Sequence, residues 1–283
     1  MSNPLIEKNP YFTTGTARPN QQQTSYAPEY VQQYSPADYQ NQYQQQSPYT
    51  QGAFGGSDVE HLTYAEAMNK TAILLGSAIL AGIATILFFP LQALPAIAIG
   101  GSLVTFVLGM VIAFKRVVPA GLALGYSIIE GASLGAITKY IDTFLPGVAL
   151  QTILATTVIV GVTLMLHYSG AVRTTPRGRK FVLIVAIGGI IFSLINLGLM
   201  VFGNTNLRTD ISVMGMPLGI ILGIVMLLVA AYMLIADFEA VNHAVQNRAP
   251  KNFAWTCAIA IVMTIFWIYI EVLRIAAIIA SDR

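Results

Sequence analysis

Seven long apolar stretches decide what this chain can become. They run over approximately 68–89, 96–114, 119–139, 148–169, 180–202, 214–237 and 253–279. Each is near the ~20 residues that carry a helix across ~30 Å of hydrocarbon. Most of them have no polar face, which a helix in a soluble fold would need. Only 10% of the 283 residues are charged and mean hydropathy is +0.65, against roughly 25% charged in an ordinary soluble domain. The expected fold class is all-α: a polytopic membrane protein of seven transmembrane helices spanning 65–283. Turn residues mark the breaks: Pro90 and Pro95, Pro119, Pro146-Gly147, Pro176, Gly203-Asn204 and Pro250.

Residues 1–60 are a different material. The run YAPEYVQQYSPADYQNQYQQQSPYTQG spaces tyrosines among Gln, Pro, Ser and Gly, with almost no aliphatic side chains. Such a segment cannot bury enough apolar area to offset chain entropy, so a disordered tail is expected. It contains no apolar core of a signal peptide, so targeting is expected to rely on the first span.

Basic residues set the expected orientation. With the tail inside, the inner connections carry Lys70, Lys115, Arg116, Arg173, Arg177, Arg179, Lys180, Arg248 and Lys251, whereas the outer ones carry Lys139, Arg208 and Arg283. Nine against three predicts a cytoplasmic N-terminus and an outer C-terminus in a cell membrane. Small residues recur at helical spacing as Gly121/Gly125, Gly131/Gly135 and Gly215/Gly219/Gly223. This spacing lets helix backbones approach closely in lipid.

Charges inside such spans are costly, at least ~2.5–3.5 kcal/mol at mid-bilayer on insertion scales, and mark functional positions. Glu130 lies mid-way along the third span, with Tyr126, Ser127 and Ser133 on its side of the helix. Asp237, followed by Glu239, is placed at the inner end of the sixth, where a carboxylate can be solvated. Glu271 is well inside the seventh, one turn before Arg274, a possible counter-ion. A packed apolar pair would be cheaper than an ion pair there, which suggests that protonation is used.

No enzyme is expected. His61, His167 and His243 are far apart, no catalytic or cofactor motif occurs in a suitable context, and there is no basic nucleic-acid face. The one cysteine, Cys257, excludes a disulfide framework and thiol metal clusters.

Four passages in order, EGASLGAIT in the third span, GAVRTTPRGRKF between the fourth and fifth, ADFEAV ending the sixth and WIYIEVLRI in the seventh, resemble the bacterial branch of the Bax inhibitor-1 (YccA-like) family. The likeness covers roughly 65–280. The resemblance implies a bundle with the seventh helix central. It also implies a pH-sensitive calcium leak channel, in which acids on the sixth and seventh helices share a proton and hold the cation. By position these are Asp237 and Glu271; Glu130 and Glu239, as further acids within or beside the spans, are candidate pore or cation ligands on their own account. Other relatives restrain a membrane protease, so a non-conducting regulatory partner is the alternative. Two features depart from the family: the seventh-helix acid is Glu rather than Asp, and it lies 34 residues beyond Asp237. At 1.5 Å per residue Glu271 is roughly 25 Å from the inner end of its span and Glu130 roughly 16 Å. Straight helices would therefore set Asp237 and Glu271 at different depths.

Overall fold

The computed structural model describes residues 60–281 except 204 and 214. The expected tail, 1–60, lies outside the described residues apart from Glu60. Seven helices are long and apolar enough to cross a membrane: α1 (Tyr64–Phe88), α2 (Leu94–Phe114, entered through a 3-10 turn at Leu91–Ala93), α3 (Ala120–Phe144), α4 (Val148–Ser169), α5 (Pro176–Gly203), α7 (Leu218–Gln246) and α8 (Ala254–Ser281). Between α5 and α7 the chain makes a one-turn helix, α6 (Leu207–Asp210), and a hairpin of β1 (Ser212–Val213) and β2 (Met216–Pro217). The protein is a multi-pass membrane protein.

Local chemistry sets the helix ends. Thr63 and Glu66 form a reciprocal capping box at the start of α1. Proline at the first turn opens α2 and α5, where its missing N–H is no loss. Gly170 closes α4 at φ 66°, a left-handed cap that a side chain would strain.

The seventh span is the core of the bundle. In its most apolar window 67% of α8 is buried, against 17% for α2. One side of α8 (Cys257, Ile261, Ile268, Val272) packs on Leu234, Phe238 and Val241 of α7. The other side (Ile259, Val262, Phe266) packs on Leu74 of α1, Ile112 of α2 and Tyr126 of α3, whose ring stacks on Phe266 at 6.4 Å. Outward-facing side chains such as Leu80, Phe106, Ile184 and Leu228 are each about two-thirds exposed. A surface so apolar suits lipid, not water.

The expected glycine packing divides. A Cβ on Gly135 would stand 2.6 Å from Gly82 O, so α1 and α3 touch backbone to backbone there. Gly219 and Gly223 receive Ile278 and Ile275 of α8. Gly121 and Gly125 meet nothing within 4 Å, and Gly215 sits at φ 80° in the hairpin turn rather than in a helix.

Hydrogen bonds identify the two ends of the bundle. Leu62 N–H donates to Ala249 O, Val118 N–H to Thr256 Oγ1 and Thr174 N–H to Glu239 Oε1, while Lys251 pairs with Glu66 and Lys70 lies over Trp255. The start of α1, the α2–α3 and α4–α5 connections and the α7–α8 loop therefore share one end, which carries the nine basic residues of the sequence count. Lys139 and Arg208 lie at the opposite end.

Candidate functional site

Asp237 is not at the mouth of its span. Helix α7 continues nine residues past it to Gln246, because Phe238, Ala240, Val241 and Ala244 prolong the apolar face that packs against α8 and the start of α1. The side chain is 1% exposed. Thr264 of α8 donates its hydroxyl to Asp237 Oδ2 at 2.5 Å, and Oδ1 is buried with no hydrogen-bond partner among the described residues. A half-satisfied carboxylate in a buried interface is expensive, ~1–3 kcal/mol for each unmet polar atom. The expectation of a solvated, interfacial Asp237 is corrected: the apolar run simply does not stop where the acid appears.

Glu271 is 5% exposed. It accepts from Trp267 Nε1 at 3.3 Å, one turn back on α8, and forms an ion pair with Arg274, one turn on. Arg274 lies close enough to Arg208 of α6 for the two to feel each other's charge. Arg208 donates to Ser193 Oγ of α5 at 2.6 Å and lies over the Phe192 ring at 5.6 Å. Burial holds its guanidinium below the usual value, yet it stays charged.

Glu130 lies on the other side of α8. Its Oε2 accepts from Thr105 of α2 at 2.5 Å, and Ser127 Oγ, a turn earlier, is buried without a hydrogen-bond partner among the described residues. Glu239 is held at the basic end: Thr174 donates to it through both N–H and hydroxyl, and Arg179 pairs with it at 3.3 Å. That Thr174–Arg179 clasp pins the α4–α5 connection onto α7.

The arrangement brings some of these acids level but does not join them. Glu130 and Thr264 each stand ten residues from the start of their helices and Asp237 nine from the end of its own, so all three lie ~15 Å from the basic end. Glu271 is seven residues beyond Thr264, ~10 Å farther along α8. No hydrogen bond links Asp237 with Glu271 or Glu130 among the described residues. Glu130, Asp237 and Glu239 are held by other elements and Glu271 by its own helix, and no group of three His, Cys, Asp or Glu side chains gathers as a metal site among the described residues. Sequence reading missed the two threonines that hold the buried acids. Their signal was present: a hydroxyl in an apolar run, Thr105 in SLVTFVL and Thr264 in IVMTIFW, but nothing in the sequence pairs it with an acid on another helix. Arg208 was read as an outer-loop charge, yet a one-turn helix folds it back to 9% exposure.

A family model described as Bax inhibitor 1 like matches residues 9–281. No curated protein matches the chain.

Proposed function

The chain belongs to the Bax inhibitor 1 like family, and on that premise we propose that it is a non-enzymatic, pH-sensitive leak for cations of the calcium class, switched at its intramembrane carboxylates. The observation that carries this reading is Asp237, buried between its own helix α7 and the central α8 with one oxygen bound by Thr264 and the other unmatched among the described residues. With a proton, the acid is neutral and the α7–α8 contact stays shut. Without it, a bare carboxylate in a buried seam draws in water or a hard cation, which prefers oxygen ligands. Parting of α7 from α8 then opens a path past Thr264 toward Glu271. Release of Glu271 from Arg274 supplies the next oxygen pair. Glu130 offers a second acid at the depth of Asp237, and Glu239 a ligand near the basic end once Thr174 and Arg179 let go.

Orientation belongs to the same proposal: the basic end faces the cytoplasm. Purified full-length protein in liposomes loaded with a calcium indicator tests the switch. Calcium flux should rise with pH, and Asp237→Asn, which carries no titratable proton, should flatten that rise. A pH response unchanged in Asp237→Asn would remove Asp237 from the gate.

A regulatory reading is favoured by one contact. Leu62, 2% exposed, ties the chain entering α1 to Ala249 in the α7–α8 loop, so a membrane protease or other integral partner acting on residues 1–60 would pull on the helices that carry Asp237 and Glu271. Deleting residues 1–59 separates the two readings: a leak survives and a tethering role is lost.

A further inference from the structure

At the end opposite the basic loops, α6 crosses from α5 toward α7 with the β1–β2 hairpin behind it. Neither piece can hold itself. A helix of four residues and a hairpin of two-residue strands are both far below the length that is stable alone. What keeps α6 in place is therefore its grip on the helices around it.

That grip has two arms on α5 and a seat on α7. Asn196 of α5, itself buried, donates through Nδ2 to Asn206 Oδ1 at 3.2 Å and accepts Leu207 N–H on Oδ1 at 2.8 Å. Three residues earlier, Ser193 accepts from the Arg208 guanidinium, which lies over the Phe192 ring. On α7, Gly219 leaves the room for the seat: a Cβ there would stand 3.0 Å from Arg208 O and 2.6 Å from Ile278 Cδ1 of α8. The backbone of α6 thus rests in the notch where α7 meets α8. One turn deeper the same notch holds Ile275 against Gly223, and Glu271 follows one turn farther along α8.

We propose that α6, from Asn206 to Ile211, is a lid on the α7–α8 seam, latched by Asn196 and Ser193, and that it lifts as a unit while the seven spans stay packed. The latch consists of a few side-chain hydrogen bonds, whereas the spans are held by the whole buried face of α8. A segment secured so lightly opens at a fraction of the free energy of global unfolding. Lifting uncovers Ile275 and the way to Glu271 from this end and lets water reach them. The lid follows from the packing of α5, α6, α7 and α8, and it stands whether or not an ion follows the water.

Thiol labelling of the full chain in lipid nanodiscs tests it. Ile275→Cys sets a reporter one turn beneath α6, and native Cys257, buried near the start of α8, is the internal control. The probe is a charged, water-borne methanethiosulfonate, and peptide mass spectrometry separates the two sites. Asn196→Ala removes both hydrogen bonds of one arm, and Ser193→Ala removes the acceptor of the other. Each should speed labelling at position 275 about tenfold, the equivalent of ~1.4 kcal/mol in an opening equilibrium, with Cys257 left unmodified. Labelling at 275 that neither variant changes overturns the proposal. So does Cys257 labelling that rises in step, which would mean that the whole bundle loosens. So does Ile275→Cys, with both latch residues intact, reacting as fast as Ser281→Cys at the exposed end of α8, which would mean that the seam has no cover.

Discussion

Replacing Thr264 with valine keeps the shape of the side chain and exchanges one group, the hydroxyl that Asp237 Oδ2 accepts from at 2.5 Å, for a methyl. Asp237 is 1% exposed and its Oδ1 already lacks a partner, so in Thr264→Val neither carboxyl oxygen has a protein donor. Leaving a buried acceptor unmet costs ~1–3 kcal/mol. The new methyl group takes the place of the hydroxyl, which also lies 3.3 Å from Ala260 O, so the substitution leaves no cavity. The expected destabilisation is ~2 kcal/mol. Reversible unfolding in mixed detergent micelles, followed by far-UV circular dichroism, reads it. The control is a double-mutant cycle with Asp237→Leu: without the acid, Thr264→Val should be nearly neutral, giving a coupling of ~1–2 kcal/mol. If Thr264→Val costs less than ~0.5 kcal/mol, in the range of an inconsequential surface change, Asp237 is solvated and the sealed seam is wrong.

Three further outcomes are expected. Gly135→Val puts a branched side chain where a Cβ alone is 2.6 Å from Gly82 O, and should lower stability by ~1–3 kcal/mol, whereas Gly125→Ala, with nothing within 4 Å, should leave the melting temperature unchanged. Arg274→Met strands the Glu271 charge and should cost ~3–5 kcal/mol, while Arg274→Met with Glu271→Leu, which removes both members of the pair, should recover most of it; unfolding in the same micelles compares them, and no recovery would mean the pair is not the reason for the loss. Reporter fusions should place residue 281 on the opposite side of the membrane from the 170–175 loop, since α5, α7 and α8 make three crossings between them; a shared side would break the seven-span order.

Membrane helices are the part of this protein that a sequence can announce. In hydrocarbon every backbone donor and acceptor must be met within the segment, so seven apolar runs imply seven helices whatever their neighbours. Proline and glycine then marked the joints well. The run was misjudged at Asp237, because a charged residue looks like a span end until Phe238, Ala240, Val241 and Ala244 are seen packed beyond it. The acids themselves were legible for the same reason, since Glu130, Asp237 and Glu271 stand out against an oily background.

Arg274 was legible as the partner of Glu271, one turn away on the same helix, but the partners of Glu130 and Asp237 were not. The offset of Asp237 from Glu271 followed from counting rise along straight helices, but the threonine each buried acid on α3 and α7 leans on belongs to a different helix, 25 residues away for Glu130 and 27 for Asp237. Arg208 needed more still: a one-turn helix outside any span folds back and brings it beside Arg274. Composition and periodicity act along the chain and therefore determined that it spans a membrane seven times. Which side of α8 each acid meets, and which charges come together, depends on the rotation and crossing of packed helices. That is set by backbone contacts such as Gly82 on Gly135, and only the assembled bundle decides it.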